Sequence, residues 1–265
     1  GEDHVSNTPK QILIYHALGF NVPIFAHLPM ILGEDNKRLS KRHGAAGVNE
    51  YESMGYQPDA LLNYLALLGW NPGTEEEIFD LGSLVKNFDI RKVQKKSATF
   101  DQKKFNWISS QHLMKEDSDK VLNRLASIDP RWSESRSQDY LIKIIDLMKP
   151  RSNSLTDLID QSRYFFSSPK EFDSAQLQKI WKQDTAEIII ELKSVLGVIN
   201  SWVAIELESN FKSFMDQRGF GIGKVMKPMR FLICGSLQGP SLFDLMELIG
   251  KEESLKRISY AINEF

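Results

Sequence analysis

The chain has 265 residues, 42% of them hydrophobic and 26% charged, with a formal net charge of −2 and a single cysteine, Cys234. That length exceeds one ordinary core and predicts two domains or three small ones. A lone cysteine excludes an intramolecular disulfide and a cysteine-based zinc cluster and fits a reducing, cytoplasmic compartment, while no apolar run nears the roughly 18 residues of a membrane span.

In chain order, residues 1–10 (GEDHVSNTPK) are polar and acidic and do not read as a signal peptide. The chain opens on Gly1 without a methionine, so its start is expected to be a truncation or to follow a missing segment. Thr8-Pro9-Lys10-Gln11 predicts a helix start: Thr8 as cap, Pro9 in the first turn, Gln11 completing a capping box, and Gly19 as the stop. VPIFAHLPMIL (22–32), interrupted by Pro23 and Pro29, predicts an extended segment, and strand signal is confined to the first 32 residues. It feeds NKRLSKRHG (36–44), which carries four Lys/Arg and no acid.

Beyond Gly44 the pattern is helical almost throughout. In 58–69, Leu61, Tyr64, Leu65 and Leu68 share one face, between Pro58 and Gly69. NPGTEEE (71–77) predicts a turn into an acidic helix start. Residues 91–104 hold six Lys/Arg against one Asp, beside Phe100, Phe105 and Trp107, which suit either base stacking or a core. KEDSDK near 117 marks a boundary. Residues 119–128 and 138–149 predict amphipathic helices, and 184–217 a long helical stretch with Gly197 as a break. Gly219, Gly221 and Gly223 predict a loop, and 224–234 a helix interrupted by Pro228. A last helical pair falls in 240–265. Residues 212–230 form a third basic patch, with five Lys/Arg against one Asp. Three separated patches on a near-neutral chain allow local binding of a phosphate backbone, though each alone also reads as a solvated face.

The five histidines lack H-x-x-x-H spacing, so no metal site is expected, and phosphate-loop and hydrolase-elbow motifs are absent. The loop itself is ambiguous. Cations placed where charge builds on a phosphoryl group stabilise its transfer, yet surface clusters of this kind are common.

Several stretches resemble bacterial glutamyl-tRNA synthetases, class I aminoacyl-tRNA synthetases, in order along the whole chain. These are GEDH, NTPKQILIYHALGF, FAHLPMIL, KRLSKRHGA, GYQPDALLNYLALLGW, FD..KF.W, MKPR and GSLQGPSLFDLMELIGKE. The resemblance implies a mainly α chain with four parts. Residues 1–33 would be the C-terminal remnant of a Rossmann-type α/β catalytic domain. Residues 34–117 would be a helical stem-contact domain, and 118–172 and 173–265 two all-α-helical anticodon-binding subdomains. It implies glutamate–tRNA ligation, in which ATP and L-glutamate give glutamyl-adenylate, which then charges tRNA(Glu). ATP would arrive with substrate-bound Mg2+, and no zinc is expected in this portion. A cytoplasmic monomer with no membrane association is implied.

The same resemblance assigns residues. The basic loop matches the family's KMSKS-type loop, with Lys41 as the lysine that stabilises the ATP phosphates. Arg38 stands where lysine is usual, keeping the charge but changing its geometry. Ser40, Arg42, Met30, Ile31 and Glu2 fall at ATP-binding positions, and His4 at the glutamate pocket. Arg151 falls where an arginine reads the third anticodon base, and Lys212, Arg230, Pro240 and Leu242 at other anticodon contacts. Some relatives carry arginine at the position of Lys212. The helical anticodon region argues against the shorter relative that modifies a tRNA base and against glutaminyl-type enzymes, which use β-barrels there. Since the family's HIGH-motif half is not in these residues, the chain alone is expected to be inactive in ATP–pyrophosphate exchange. The competing reading is a non-catalytic tRNA-binding module.

Overall fold

The computed structural model describes residues 1–40, 47–134 and 136–264, in two compact units, Gly1–Glu116 and Asp117–Phe265.

The first unit opens with a 3-10 turn, Glu2–His4, and helix α1, Thr8–Ala17. Asn7, not Thr8, is the N-cap, and it makes no side-chain cap bond. The Thr8 hydroxyl instead donates to the His4 carbonyl at 3.2 Å and pairs with His27 Nε2 at 2.9 Å. α1 buries no residue, and Gly19 beyond it has φ 68°, a conformation glycine adopts without strain. Residues 20–31 are irregular, as expected of a segment with two prolines. The strand signal there yields no ladder, because a strand needs neighbours for its N–H and C=O groups. Among the described residues, pairing is limited to isolated bridges, Leu32 with Arg38, Leu32 with Thr99 and Trp70 with Val93.

α2 (Val48–Ser53), α3 (Pro58–Leu67), α4 (Leu81–Asn87) and α5 (Gln102–Lys115) build the rest. α3 packs on α5 around Phe105, whose ring lies 5.1 Å from Tyr64, 5.3 Å from Tyr51 and 4.6 Å from Tyr56. Leu61, Tyr64 and Leu68 are buried as their spacing predicts, but Leu65 on the same stripe is exposed. Phe100 and Phe105 belong to the core, whereas Trp107 is exposed. The Tyr64 hydroxyl accepts from the Asp101 N–H at 2.7 Å and donates to the Asp101 carbonyl at 3.0 Å, and burial pushes its pKa up to about 12. Asp101 in turn caps α5 through Lys103 and Lys104.

The acidic run 75–77 does not start a helix. Asn63, buried on α3, holds this segment in irregular form: its Nδ2 donates to the Glu77 carbonyl at 3.0 Å, and its Oδ1 accepts from the Phe79 N–H at 2.9 Å. His112 Nε2 lies 2.9 Å from the same Oδ1. Asp80 then caps α4 through the Ser83 N–H at 2.7 Å.

The second unit comprises α6 (Ser118–Ile128), α7 (Pro130–Ser133), α8 (Gln138–Met148), α9 (Leu155–Gln161), α10 (Ser174–Ile180), α11 (Thr185–Gly197), α12 (Ala204–Arg218), α13 (Ile222–Cys234), α14 (Leu242–Ile249) and α15 (Lys251–Glu264). α6 packs against α8 and α9, and α11 against α12, α13 and α15. Side-chain oxygens of Asp117, Ser137, Ser154, Asp173 and Ser241 cap five of these helices. The stretch 184–217 is two helices, parted after Gly197. Gly219 ends α12 in the left-handed region, and Gly221 caps α13, but Gly223 lies inside α13 rather than in a loop. α13 also runs through Pro228 without interruption. Burial of Val225, Met229, Phe231 and Leu232 around it offsets the hydrogen bond a proline cannot donate.

Replacing Asn63 with leucine leaves the Phe79 N–H and Glu77 carbonyl unpaired, and should lower stability by about 2–3 kcal/mol in urea unfolding. Burial holds the His112 pKa below its usual value, so the unfolded chain takes up that proton first. The His112 contribution is fully present above the unfolded value of about 6.5 and is lost as pH falls from there through the lower folded value. Thermal unfolding between pH 7.5 and 5.5 should therefore show a steeper fall for the native chain than for His112→Gln.

Candidate functional site

The basic loop springs from a fixed base. The Leu32 N–H donates to the Ala98 carbonyl at 2.9 Å, and the Phe100 N–H to the Leu32 carbonyl at 2.8 Å. From there the chain reverses: the Gly33 N–H donates to the Lys37 carbonyl at 2.8 Å, and the Leu39 N–H to the Ile31 carbonyl at 2.9 Å. Asn36 sits in the reversal at φ 59°, which asparagine tolerates better than most residues. Leu39, the apolar residue of KRLSKR, packs against the Phe105 core and ties the loop to it.

This hairpin brings together several sequence-assigned residues. The Met30 N–H donates to Glu2 Oε1 at 3.2 Å, and the Glu2 N–H to the Leu28 carbonyl at 2.9 Å. Arg38 lies 3.6 Å from the Asp3 carboxylate. Slight burial pushes the Asp3 pKa up, but neighbouring positive charge, that of His4 and Arg38 included, outweighs it and holds the carboxyl below its usual range. His4 is exposed, and its backbone closes the 3-10 turn. The Met30 N–H and Ile31 carbonyl are thus both engaged within the chain. Ser40 is half-buried at the end of the described segment. Lys41 and Arg42 lie outside the described residues.

In the second unit, MKPR (148–151) divides its two cations. Lys149 is buried, with Nζ 3.1 Å from the Ser118 hydroxyl, whereas Arg151 ends the 3-10 turn Lys149–Arg151 exposed. Arg230, on α13, donates through Nη1 to the Pro240 carbonyl at 2.5 Å. Tyr164 lies in the 3-10 turn Arg163–Phe165, its hydroxyl 3.4 Å from Met148 Sδ. Burial pushes the Tyr164 phenol far up, against the opposing fields of Arg230 and Arg151. Gly239, at φ 151°, approaches both groups closely. A Cβ there would sit 3.1 Å from Arg230 Nη1 and 3.3 Å from the Tyr164 hydroxyl. A cavity of about 740 Å³ opens beside them, lined by Arg163, Tyr164, Lys170, Gln238 and Gly239 among others.

Arg230, Gly239 and Pro240 therefore meet at Tyr164, and the field of Arg151 reaches the same phenol. Lys212 stands on α12, exposed and paired with Glu208 at 2.7 Å, and shares no described bond with that group. The Leu242 side chain is buried in the core at the start of α14, so its surface contribution is limited to backbone. Tyr164 and Gly239 were not foreseen. Nothing in SRYFF or LQGP separates them from ordinary core and turn residues, and only their meeting with Arg230 identifies them. Among the described residues no group of three or more His, Cys, Asp or Glu could hold a metal, and no helix is long and apolar enough to cross a membrane.

Residues 119–262 match the family described as anticodon binding domain, and residues 1–107 the family described as tRNA synthetases class I (E and Q), catalytic domain. The chain is 38% identical to a glutamate–tRNA ligase of Syntrophobacter fumaroxidans over 99% of its own length and 56% of the relative's. It is 37% identical to one of Moorella thermoacetica, over 98% and 54%. A solved glutamate tRNA ligase from Elizabethkingia meningosepticum, in complex with its amino acid, superposes with TM-score 0.81 at 32% identity, covering 99% of this chain and 56% of that one. The chain thus spans about half the length of the curated relatives it matches.

Gly239→Ala should force the Pro240 turn off Arg230. A backbone held in a region costly to L residues predicts a loss of about 1–3 kcal/mol, read in urea unfolding.

Proposed function

The chain belongs to the glutamyl-tRNA synthetase family, and on that premise we propose that it supplies the KMSKS-like loop and the tRNA-reading surface for glutamate–tRNA ligation. The observation that carries this reading is the meeting of Arg230 and the Gly239–Pro240 backbone at Tyr164, with the exposed Arg151 acting on the same phenol by its field, inside the stretch that matches the anticodon-binding family. Single-stranded bases are splayed out and read on their edges by forked donors and by aromatic or backbone surfaces, and this group offers all three. Arg151 is exposed and carries no described ion pair, so its five donors are free for a base edge or phosphate.

The parts take these roles. Residues 1–33 end the catalytic domain, 34–117 carry the loop and touch the tRNA stem, and 118–172 and 173–265 read the anticodon. ATP enters with its own Mg2+. Lys41, with Ser40 and Arg42, meets the phosphates and places positive charge where it develops during adenylate formation. Arg38 exchanges Asp3 for phosphate oxygens, which its fork suits. Met30 and Ile31 present backbone to adenine, with Glu2 beside them, and His4 lines the glutamate pocket. Lys212 meets a phosphate, and Leu242 contributes its backbone. The partners are tRNA(Glu), ATP and L-glutamate, the setting the cytoplasm, and the state a monomer.

Filter binding of tRNA tests the reading. Arg151→Ala should weaken tRNA(Glu) binding by about tenfold, the loss of one good base contact, and change binding of an anticodon-replaced tRNA little. Equal losses would make Arg151 a phosphate contact only. Log affinity should fall against log salt by about 0.7–0.9 per neutralised phosphate. A flat profile would remove nucleic acid as the partner.

A further inference from the structure

We infer that Arg257 is a positioning residue for the anticodon-reading surface: buried on α15, it holds the Tyr164 turn and the end of the Arg230 helix in one register without touching RNA. The inference rests on the tRNA reading above and adds to it a residue that no sequence motif marks.

Arg257 is 3% exposed. A guanidinium taken out of water is retained only where its donors are answered. Here Nε donates to Glu253 Oε1 at 2.8 Å, while Nη1 donates to the Tyr164 carbonyl at 2.7 Å and the Ile233 carbonyl at 2.9 Å. Glu253 Oε1 also accepts from the Ser168 hydroxyl at 2.7 Å. Burial works against the Glu253 carboxylate, but the bonds from Ser168 and Arg257 prevail and hold it ionised.

The two carbonyls matter because of what they belong to. Tyr164 carries the phenol that lies against Gly239. Ile233 is three residues beyond Arg230 on α13, and Arg230 holds the Pro240 carbonyl. One planar fork therefore fixes the separation between the Tyr164 backbone and the α13 terminus, and with it the meeting of Tyr164, Arg230 and the Gly239–Pro240 turn. Lysine keeps the charge but offers a mobile point donor on a longer tether, so it cannot hold both carbonyls and Glu253 in that plane. Apolar side chains replacing the whole buried Arg257–Glu253 pair would cost little net stability, which makes relative placement the property this pair secures here.

The test uses the 265-residue chain with Arg257→Lys and, as a milder change that keeps the arginine, Glu253→Gln. Circular dichroism checks folding, and filter binding measures tRNA(Glu) against the anticodon-replaced tRNA. Arg257→Lys should weaken tRNA(Glu) binding by about tenfold and the other tRNA by less than about twofold, with Glu253→Gln intermediate. Hydrogen exchange in residues 236–241 of the unliganded variants should quicken. Equal losses for both tRNAs, or an unchanged ratio with a lowered melting temperature, would overturn the proposal and leave Arg257 a structural residue. If the native chain does not distinguish the tRNAs, the tRNA reading falls. The exchange arm then decides on its own, with unchanged exchange overturning the positioning role and faster exchange upholding it.

Discussion

The first unit depends on one reciprocal contact, the Tyr64 hydroxyl held between the N–H and the carbonyl of Asp101. It joins the middle of α3 to the cap of α5 and so sets where Phe105 enters the aromatic core. The residue before Asp101, Phe100, donates to Leu32, and Leu32 bridges Arg38. The register of α5 is thereby passed to the base of the basic loop through backbone bonds. The apolar Leu39 then pins the loop's middle to the same core. A loop proposed to place cations on a phosphate is thus entered from a base fixed by backbone bonds and by Leu39.

Charge in this protein is local rather than global. Lys104 pairs with Glu77, Arg91 with Asp89, Lys212 with Glu208 and Lys224 with Asp184, so acids drawn from outside the basic runs screen much of what reads as a patch. Such exposed pairs contribute little stability and open readily to phosphate. In the second unit, Lys149 points inward to the Ser118 hydroxyl while Arg151, two residues on, stays exposed, which divides a buried from an exposed charge within a single motif.

Much of the helical order could be read directly. The amphipathic pattern located α3, α6 and α8 to within a residue or two and placed a closing helical pair within 240–265, and the resemblance assigned anticodon contacts to Arg151 and Arg230 without any view of their surroundings. Its errors share one origin. Thr8 looks like a cap until its hydroxyl is drawn to His4 and His27; the acids 75–77 look like a helix start until Asn63 binds their backbone; Pro228 looks like a break until the burial around it is seen. For Thr8 and for the acids a residue elsewhere in the chain outcompetes a local preference of about a kilocalorie per mole, and for Pro228 the burial of its own helix does.

By itself the sequence determined the mainly helical character and the longer amphipathic helices, where the cations cluster in order along the chain, and which family pattern they follow, because each of these depends on spacing within a few residues or on order. Only the tertiary structure decided that Asn63 orders the acidic turn, that Leu39 anchors the loop, that Leu242 faces inward, and that Tyr164, Gly239 and Arg257 gather around Arg230. Those facts depend on side chains tens of residues apart competing for the same hydrogen-bonding groups. Periodicity carries no record of such a meeting.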